Sequence, residues 1–290
     1  MQRSLRPVFA PARGQFNTAC NSTIHYAVHM VKPFRTPLFD FPDLLLHADE
    51  LRVKKHPRYA AAKAGDADAA ELLVNDLASQ NWLPALRVSL QGFHVELLPV
   101  HALESEGVNE IPAALAEWLS AELNLPVMDT VVQSNTVGHT GASGFERLAH
   151  QAVFAGEVER GRKYLLVDDF IGQGGTLANL IGYVHRAGGQ AIAATVLTGK
   201  PYSAKLAPDS GQIQALRDKH GRDLEKWWRE HVGFGFDCLT RSEARYLEKS
   251  PDAQVIRDRL IASGLEGSPD ASQSDAASIK PDPDPESSGG

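Results

Sequence analysis

The chain has 290 residues, 43% of them hydrophobic and 22% charged, with a net charge of -7 and a pI near 5.9. That length buries the core of one α/β domain with accessory elements, or of two small domains, and the acidic balance points away from a globally basic nucleic-acid-binding surface while leaving room for a local patch. No apolar run approaches the roughly 20 residues of a membrane span, and two lone thiols, Cys20 and Cys238, make neither a disulfide framework nor a metal set and fit a reducing, cytoplasmic compartment.

The chain opens with a stretch, 1–39, that carries Arg3, Arg6, Arg13, Lys32 and Arg35 and no acid. It lacks the apolar centre of a secretory signal. An organelle transit peptide is one reading. The preferred one is a flexible extension, or an upstream start with Met30 as the natural beginning. Residues 40–90 read as a helical accessory segment. Its clearest helix is 66–78, with acids in the first turn opposing the helix dipole.

From 91 to 200 the pattern alternates. Residues 94–100 read as a strand and 111–123 as an amphipathic helix with proline in its first turn. Residues 125–132 read as a strand, 133–144 as a mobile polar loop, and 151–154 as a short strand. Then come a buried strand (163–167), a helix (177–186) stopped by Gly188-Gly189, and another buried strand (191–197). Apolar strands without alternation, separated by helices, predict an α/β fold: an open, mostly parallel twisted sheet with helices on both faces. Beyond Lys200 the pattern turns helical at 211–220, 223–231, 242–248 and 253–262, a C-terminal region (201–263) long enough to form a hood. The tail, 264–290, is rich in Ser, Asp and Pro and reads as disordered and acidic.

The chemistry concentrates in Tyr164 to Asn179, YLLVDDFIGQGGTLAN. A buried strand delivers Asp168 and Asp169 at its carboxyl end, where ligands of open parallel sheets sit. Gly172, Gln173, Gly174 and Gly175 form a loop whose amides can turn inward on a phosphate. Thr176 opens the next helix and can cap it. Ionised carboxylates only accept hydrogen bonds, which suits paired ribose hydroxyls. One ligand joins both features: a ribose 5-phosphate. The order of acids and glycines matches neither a Walker A loop nor GxGxxG.

The segment Val167 to Thr176 resembles the signature of type I phosphoribosyltransferases, enzymes that use phosphoribosyl pyrophosphate (PRPP). Gln173 and Gly175 depart from the common Thr-Thr-Gly-Ala-Thr loop. The resemblance implies that Asp168 and Asp169 hold the ribose, that residues 172–176 bind the 5-phosphate, and that Mg2+ arrives on PRPP without a dedicated protein cage. It extends from about Glu96 to Gly199. By position, Glu106, Gly107 and Asn109 would serve the pyrophosphate, and residues 134–147 would form a lid with His139 or Arg147 as its basic residue. Lys200 is a candidate for the acceptor base, with Tyr202, Phe234 and Phe236 as possible stacking partners. Trp227-Trp228 read rather as helix packing, and His150 and His185 as ordinary polar residues. The implied reaction is transfer of phosphoribose to a nitrogenous base with release of pyrophosphate. The alternatives are a non-catalytic sensor of PRPP or a nucleotide, and a member acting on a larger acceptor. The resemblance also implies a homodimer.

Overall fold

A computed structural model describes residues 32–104, 107–137 and 142–265. In chain order they form β1 (Leu45–Leu46), α1 (Glu50–Lys54), α2 (Tyr59–Lys63), α3 (Ala67–Leu77), α4 (Leu83–Leu90), β2 (Val95–Pro99), β3 (Leu103–Glu104), β4 (Gly107–Val108) and α5 (Ile111–Leu123). There follow β5 (Val131–Gln133), α6 (Gly144–Ala149), β6 (Phe154–Gly156), β7 (Lys163–Ile171), α7 (Gly175–Ala187), β8 (Gln190–Gly199), α8 (Ser210–Val232), α9 (Arg241–Glu248) and α10 (Ala253–Ala262).

The main sheet has the order β1-β8-β7-β2, and every neighbouring pair is parallel. Its two faces separate along β7. Tyr164 and Leu166 pack with Leu177, Leu180, Ile181 and Val184 of α7. Leu165 and Val167 pack with Leu73, Leu77, Leu115 and Leu119 of α3 and α5. A strand covered on both sides needs no polar face, so KYLLV reads as a continuous apolar run. The sheet is thus parallel with helices on both faces, as the sequence predicts.

Several elements differ from the sequence reading. The 40–90 segment is helical but also supplies β1, an edge strand paired to Thr195 and Val196. Two residues are too few to show a period, so sequence alone does not reveal it. The strand expected at 125–132 dissolves into a bridge of Val127 to Leu97 and the short β5. The strand expected at 151–154 lies at 154–156, antiparallel to β5 and outside the main sheet. β7 continues past 167 to Ile171, so the two acids sit within its last turnless stretch. α7 begins at Gly175, with Gly174 as its N-cap. Thr176 therefore lies inside the first turn and does not cap.

The C-terminal helices build a core of their own. Trp228, Phe234 and Phe236 pack there with Leu216, Leu247 and Leu260, and Phe145 and Leu148 of α6 join them. α8 breaks at Gly221 (φ 78, ψ 161), which separates the two helices expected at 211–220 and 223–231. The expected extension to residue 39 also needs correction at its end. Arg35 and Leu38 are buried, at 5% and 2% exposure. Residues 1–31 and 266–290 lie outside the described residues, with most of the expected extension and nearly all of the expected tail.

Candidate functional site

Asp168 and Asp169 reach a cavity of about 430 Å3 at the carboxyl end of β7, which Gly172, Gln173, Gly174, Gly175, Thr176, Asn109, Arg147 and Lys200 also line. The main sheet places the groups across it. β7 supplies the acids and the glycine loop, Lys200 follows β8, and α1 follows β1.

The glycine loop is held by backbone conformation and by its neighbours. Gly174 has φ +82, and a Cβ there would stand 2.5 Å from Leu206 Cδ1. Only glycine meets both conditions without strain. The first helical bond of α7 runs from Ala178 N–H to the Gly174 carbonyl. The amides of Gly175, Thr176 and Leu177 precede it and are left for another acceptor, which with the helix dipole makes an anion site. The Thr240 hydroxyl donates to the Gln173 carbonyl (2.6 Å), fixing the loop from the N-terminus of α9.

The two acids are unequal. Burial, then the neighbouring Asp169 charge, pushes the Asp168 carboxyl well above the usual carboxylate range. The Asp169 amide donates to Asp168 Oδ1 (2.8 Å). Asp169 instead pairs with Lys63, Nζ to Oδ2 at 3.1 Å.

Lys63 ends α2, a five-residue helix that no motif in the sequence marks as part of a site. The same is true of the other groups that α1 and α2 bring to this cavity: Glu50, Lys54 and Tyr59. Glu50 and Lys54 are four apart, as in countless exposed helices. Their place in a site follows only from where β1 docks. The Ala48 amide donates to the Leu197 carbonyl (2.8 Å), and the Thr198 hydroxyl to the Ala48 carbonyl (2.8 Å).

Arg147 arrives from the first turns after the polar loop. Its Nη1 would lie 3.5 Å from a Cβ on Gly172, so its guanidinium stands beside the glycine loop. Its Nε and Gln173 Oε1 are buried without hydrogen-bond partners among the described residues. Asn109 is buried and lines the cavity, while its Oδ1 accepts from the Ile111 amide (3.2 Å) at the start of α5. Gly107 is not among the cavity-lining residues. It has φ +139, and a Cβ there would stand 2.5 Å from the Ala64 carbonyl oxygen, so it lets the β3–β4 hairpin abut α2. Glu106 and His139 lie outside the described residues.

The aromatic candidates are placed elsewhere. Phe236 is 0% exposed and Phe234 4%, both in the C-terminal core, and Arg35 stacks on the Phe234 ring at 4.3 Å. Tyr202 lies in a separate groove under Arg245, 4.1 Å from its ring centre. Trp228 is fully buried and Trp227 stacks on His231, so both serve packing. His150 lines the cavity, whereas His185 Nδ1 bonds the Thr36 hydroxyl (3.0 Å).

Behind the loop sits a buried ion pair. Arg35 donates to both Glu243 oxygens (2.6 and 2.9 Å), to Asn179 Oδ1 (2.5 Å) and to Gln151 Oε1 (2.9 Å). A guanidinium fixed by that many acceptors is the form in which a buried charge is tolerated.

Among known proteins, the chain is 39% identical over 228 residues to Protein TraN of Escherichia coli, covering 79% of this chain and 51% of that protein. It is 37% identical over 145 residues to an uncharacterized protein of Haemophilus influenzae, covering 50% of this chain and 32% of that one. The chain therefore spans half the length of the first and a third of the second. No family model matches it. Similar solved structures include adenine phosphoribosyltransferase from Rhodothermus marinus (16% identity, 40% of this chain and 78% of that one, TM-score 0.26). The same enzyme from Leishmania donovani gives 13%, 52% and 56%, with a TM-score of 0.28. The UMP synthase of that organism gives 15%, 66% and 34%, also at 0.28. Scores this low do not assign kinship.

Proposed function

We propose that this chain binds PRPP and transfers its phosphoribosyl group to a nitrogenous base, releasing pyrophosphate. One observation carries the reading. Paired carboxylates and a glycine loop leading into helix amides that have no acceptor among the described residues line a single cavity. Phosphate and diol binding groups so joined suit a ribose 5-phosphate.

The roles follow from position. The amides of residues 175–177 and the Arg147 guanidinium hold the 5-phosphate. Asp168 and Asp169 accept from the ribose hydroxyls, and their negative charge favours the cationic character that develops at C1′. Lys63 and the Asn109 side of the cavity receive the pyrophosphate. In this reading segment 134–147, of which 138–141 lie outside the described residues, serves as the lid that excludes water. The carboxylates and the ligand's own phosphate oxygens are the hard donors that Mg2+ takes, and an ion carried on PRPP would supply charge neutralisation to the leaving group. Most of the rate enhancement is then positioning and electrostatics.

A sensing role is the second reading, and one linkage favours it. The phosphate loop is tied to α9 through Thr240, and through Arg35, which bonds both Glu243 and the Gly175 carbonyl (3.4 Å). Occupancy of the loop thereby reaches the C-terminal helices.

The test is pyrophosphate release from PRPP, Mg2+ and a panel of bases. Turnover that disappears in Asp168→Asn plus Asp169→Asn supports the transferase. Tight PRPP binding without turnover supports the sensor, and absence of PRPP binding rejects both. No described helix is long and apolar enough to cross a membrane. A homodimer remains part of the proposal and is checked by light scattering.

A further inference from the structure

Lys54, Glu50 and Lys200 form a continuous triad on the cavity wall beside Phe170. Lys54 Nζ lies 2.5 Å from Glu50 Oε1, and Lys200 Nζ lies 3.2 Å from Glu50 Oε2. The two oxygens of one carboxylate are thus each flanked by an ammonium group. Burial raises the Glu50 carboxyl, but the hydrogen bonds and charges of Lys54 and Lys200 outweigh it and hold the group below the ordinary value. Glu50 is ionised at neutral pH and can only accept, while the lysines can only donate.

The triad is anchored by the sheet. Lys200 N–H donates to the Ile171 carbonyl (2.9 Å), and Asp49 caps α1 by accepting from the amides of Leu51 and Arg52 (2.9 and 3.2 Å). Both ends therefore start from strand termini, next to the acids of β7. Phe170 lines the same cavity, with Lys54 Nζ over its ring, 5.1 Å from the centre. The wall offers an acceptor flanked by a donor on each of its oxygens, with an aromatic ring in the same cavity.

We infer that the acceptor is a cyclic imide: a planar base with a ring N–H between two carbonyl oxygens, read edge-on by Lys54, Glu50 and Lys200 and stacked on Phe170. This rests on the transferase reading above. An imide edge presents acceptor, donor, acceptor, the complement of this wall. An amidine edge, with an amino group beside a bare ring nitrogen, leaves Glu50 or a lysine unmatched, which is where polar sites discriminate most strongly. The imide nitrogen is held by Glu50, and a different ring nitrogen attacks C1′ of PRPP. The C1′–N bond forms as the C1′–O bond breaks, the electron pair leaves on pyrophosphate, and the proton of the attacking nitrogen passes to the released pyrophosphate.

The experiment compares uracil and xanthine, both imides, with adenine and cytosine, both amidines. PRPP binding is measured by calorimetry alongside. The expected result is a kcat/KM for at least one imide roughly 100-fold or more above either amidine. Glu50→Gln should reduce that ratio to near one while PRPP binding persists, which also shows the variant folded. Lys200→Met should lower the ratio in the same direction. Equal or better use of amidines, turnover of none of the four bases, or a ratio untouched by Glu50→Gln overturns the inference even where PRPP binds. Failure of PRPP to bind the unmodified protein overturns the transferase reading with it.

Discussion

Lys63 Nζ and Asp169 Oδ2 lie 3.1 Å apart, a pair that joins α2 to the end of β7 inside the candidate site. The side chains are only 18% and 11% exposed, so solvent screens the interaction little. The carboxylate proposed to accept from ribose hydroxyls is thus paired with a cation that also lines the cavity. Lys63→Met should weaken PRPP binding about tenfold or more, the loss of one charge-assisted contact of about 1.4 kcal/mol. Calorimetric titration decides the matter, and unchanged affinity would remove Lys63 from the site.

Asp168 makes a pH prediction. Its carboxyl is raised by burial and then by Asp169, so the unfolded chain releases this proton at lower pH than the native one does. Between those two values the unfolded state binds fewer protons, and stability falls as pH rises. Asp168→Asn removes the penalty. Its melting temperature should exceed that of the unmodified protein by a few degrees at pH 7 and converge with it toward pH 4, while turnover disappears. A neutral-pH melting temperature at or below the original contradicts the assigned strain.

At Gly174, alanine meets both a positive φ of 82 and the Leu206 side chain. Gly174→Ala should cost about 1–3 kcal/mol, read by urea denaturation. PRPP affinity should fall with it, because the N–H groups that follow would be turned. Gly161 also has positive φ, but nothing lies within 4 Å of its added Cβ. Gly161→Ala therefore controls for backbone strain and should leave PRPP affinity intact.

Arg35→Met strips Glu243 of a buried partner and should destabilise the fold by about 3–5 kcal/mol. The double variant Arg35→Met plus Glu243→Leu, which buries no orphan charge, should recover part of that loss. Denaturant midpoints of the single and double variants settle it, since an equally unstable double variant would mean that the other Arg35 contacts dominate.

Arg147 stands beside the glycine loop, and its Nε has no hydrogen-bond partner among the described residues. Arg147→Ala should weaken inorganic phosphate and PRPP alike, and flatten the salt dependence of both, because an exchanged charge is lost. Weakened binding of PRPP alone would move this residue to the pyrophosphate.

Local pattern made one half of the site readable. VDDFIGQGGT carries its chemistry in consecutive residues, and β7 and α7 obey simple rules of apolar run, glycine turn and helix start. The covering of both sheet faces was equally legible, because Leu165, Leu166 and Val167 show no alternation. Lys54, Tyr59 and Lys63 were not legible. Nothing in their own neighbourhood distinguishes them from surface residues of short helices.

What contiguous residues encode is backbone shape and burial: the alternation of strands and helices, the acids, the glycine turn and the helical region that follows β8. Which remote groups face those acids was settled by docking. The two-residue β1 lies against Thr195 and Val196, swinging α1 and α2 over the sheet end and setting Glu50 against Lys200, 150 residues away. Arg35 likewise leaves an apparently loose basic segment for the interior because Glu243, Asn179 and Gln151 converge there. Such meetings depend on packing among distant segments, and no period or spacing within one stretch of chain records them.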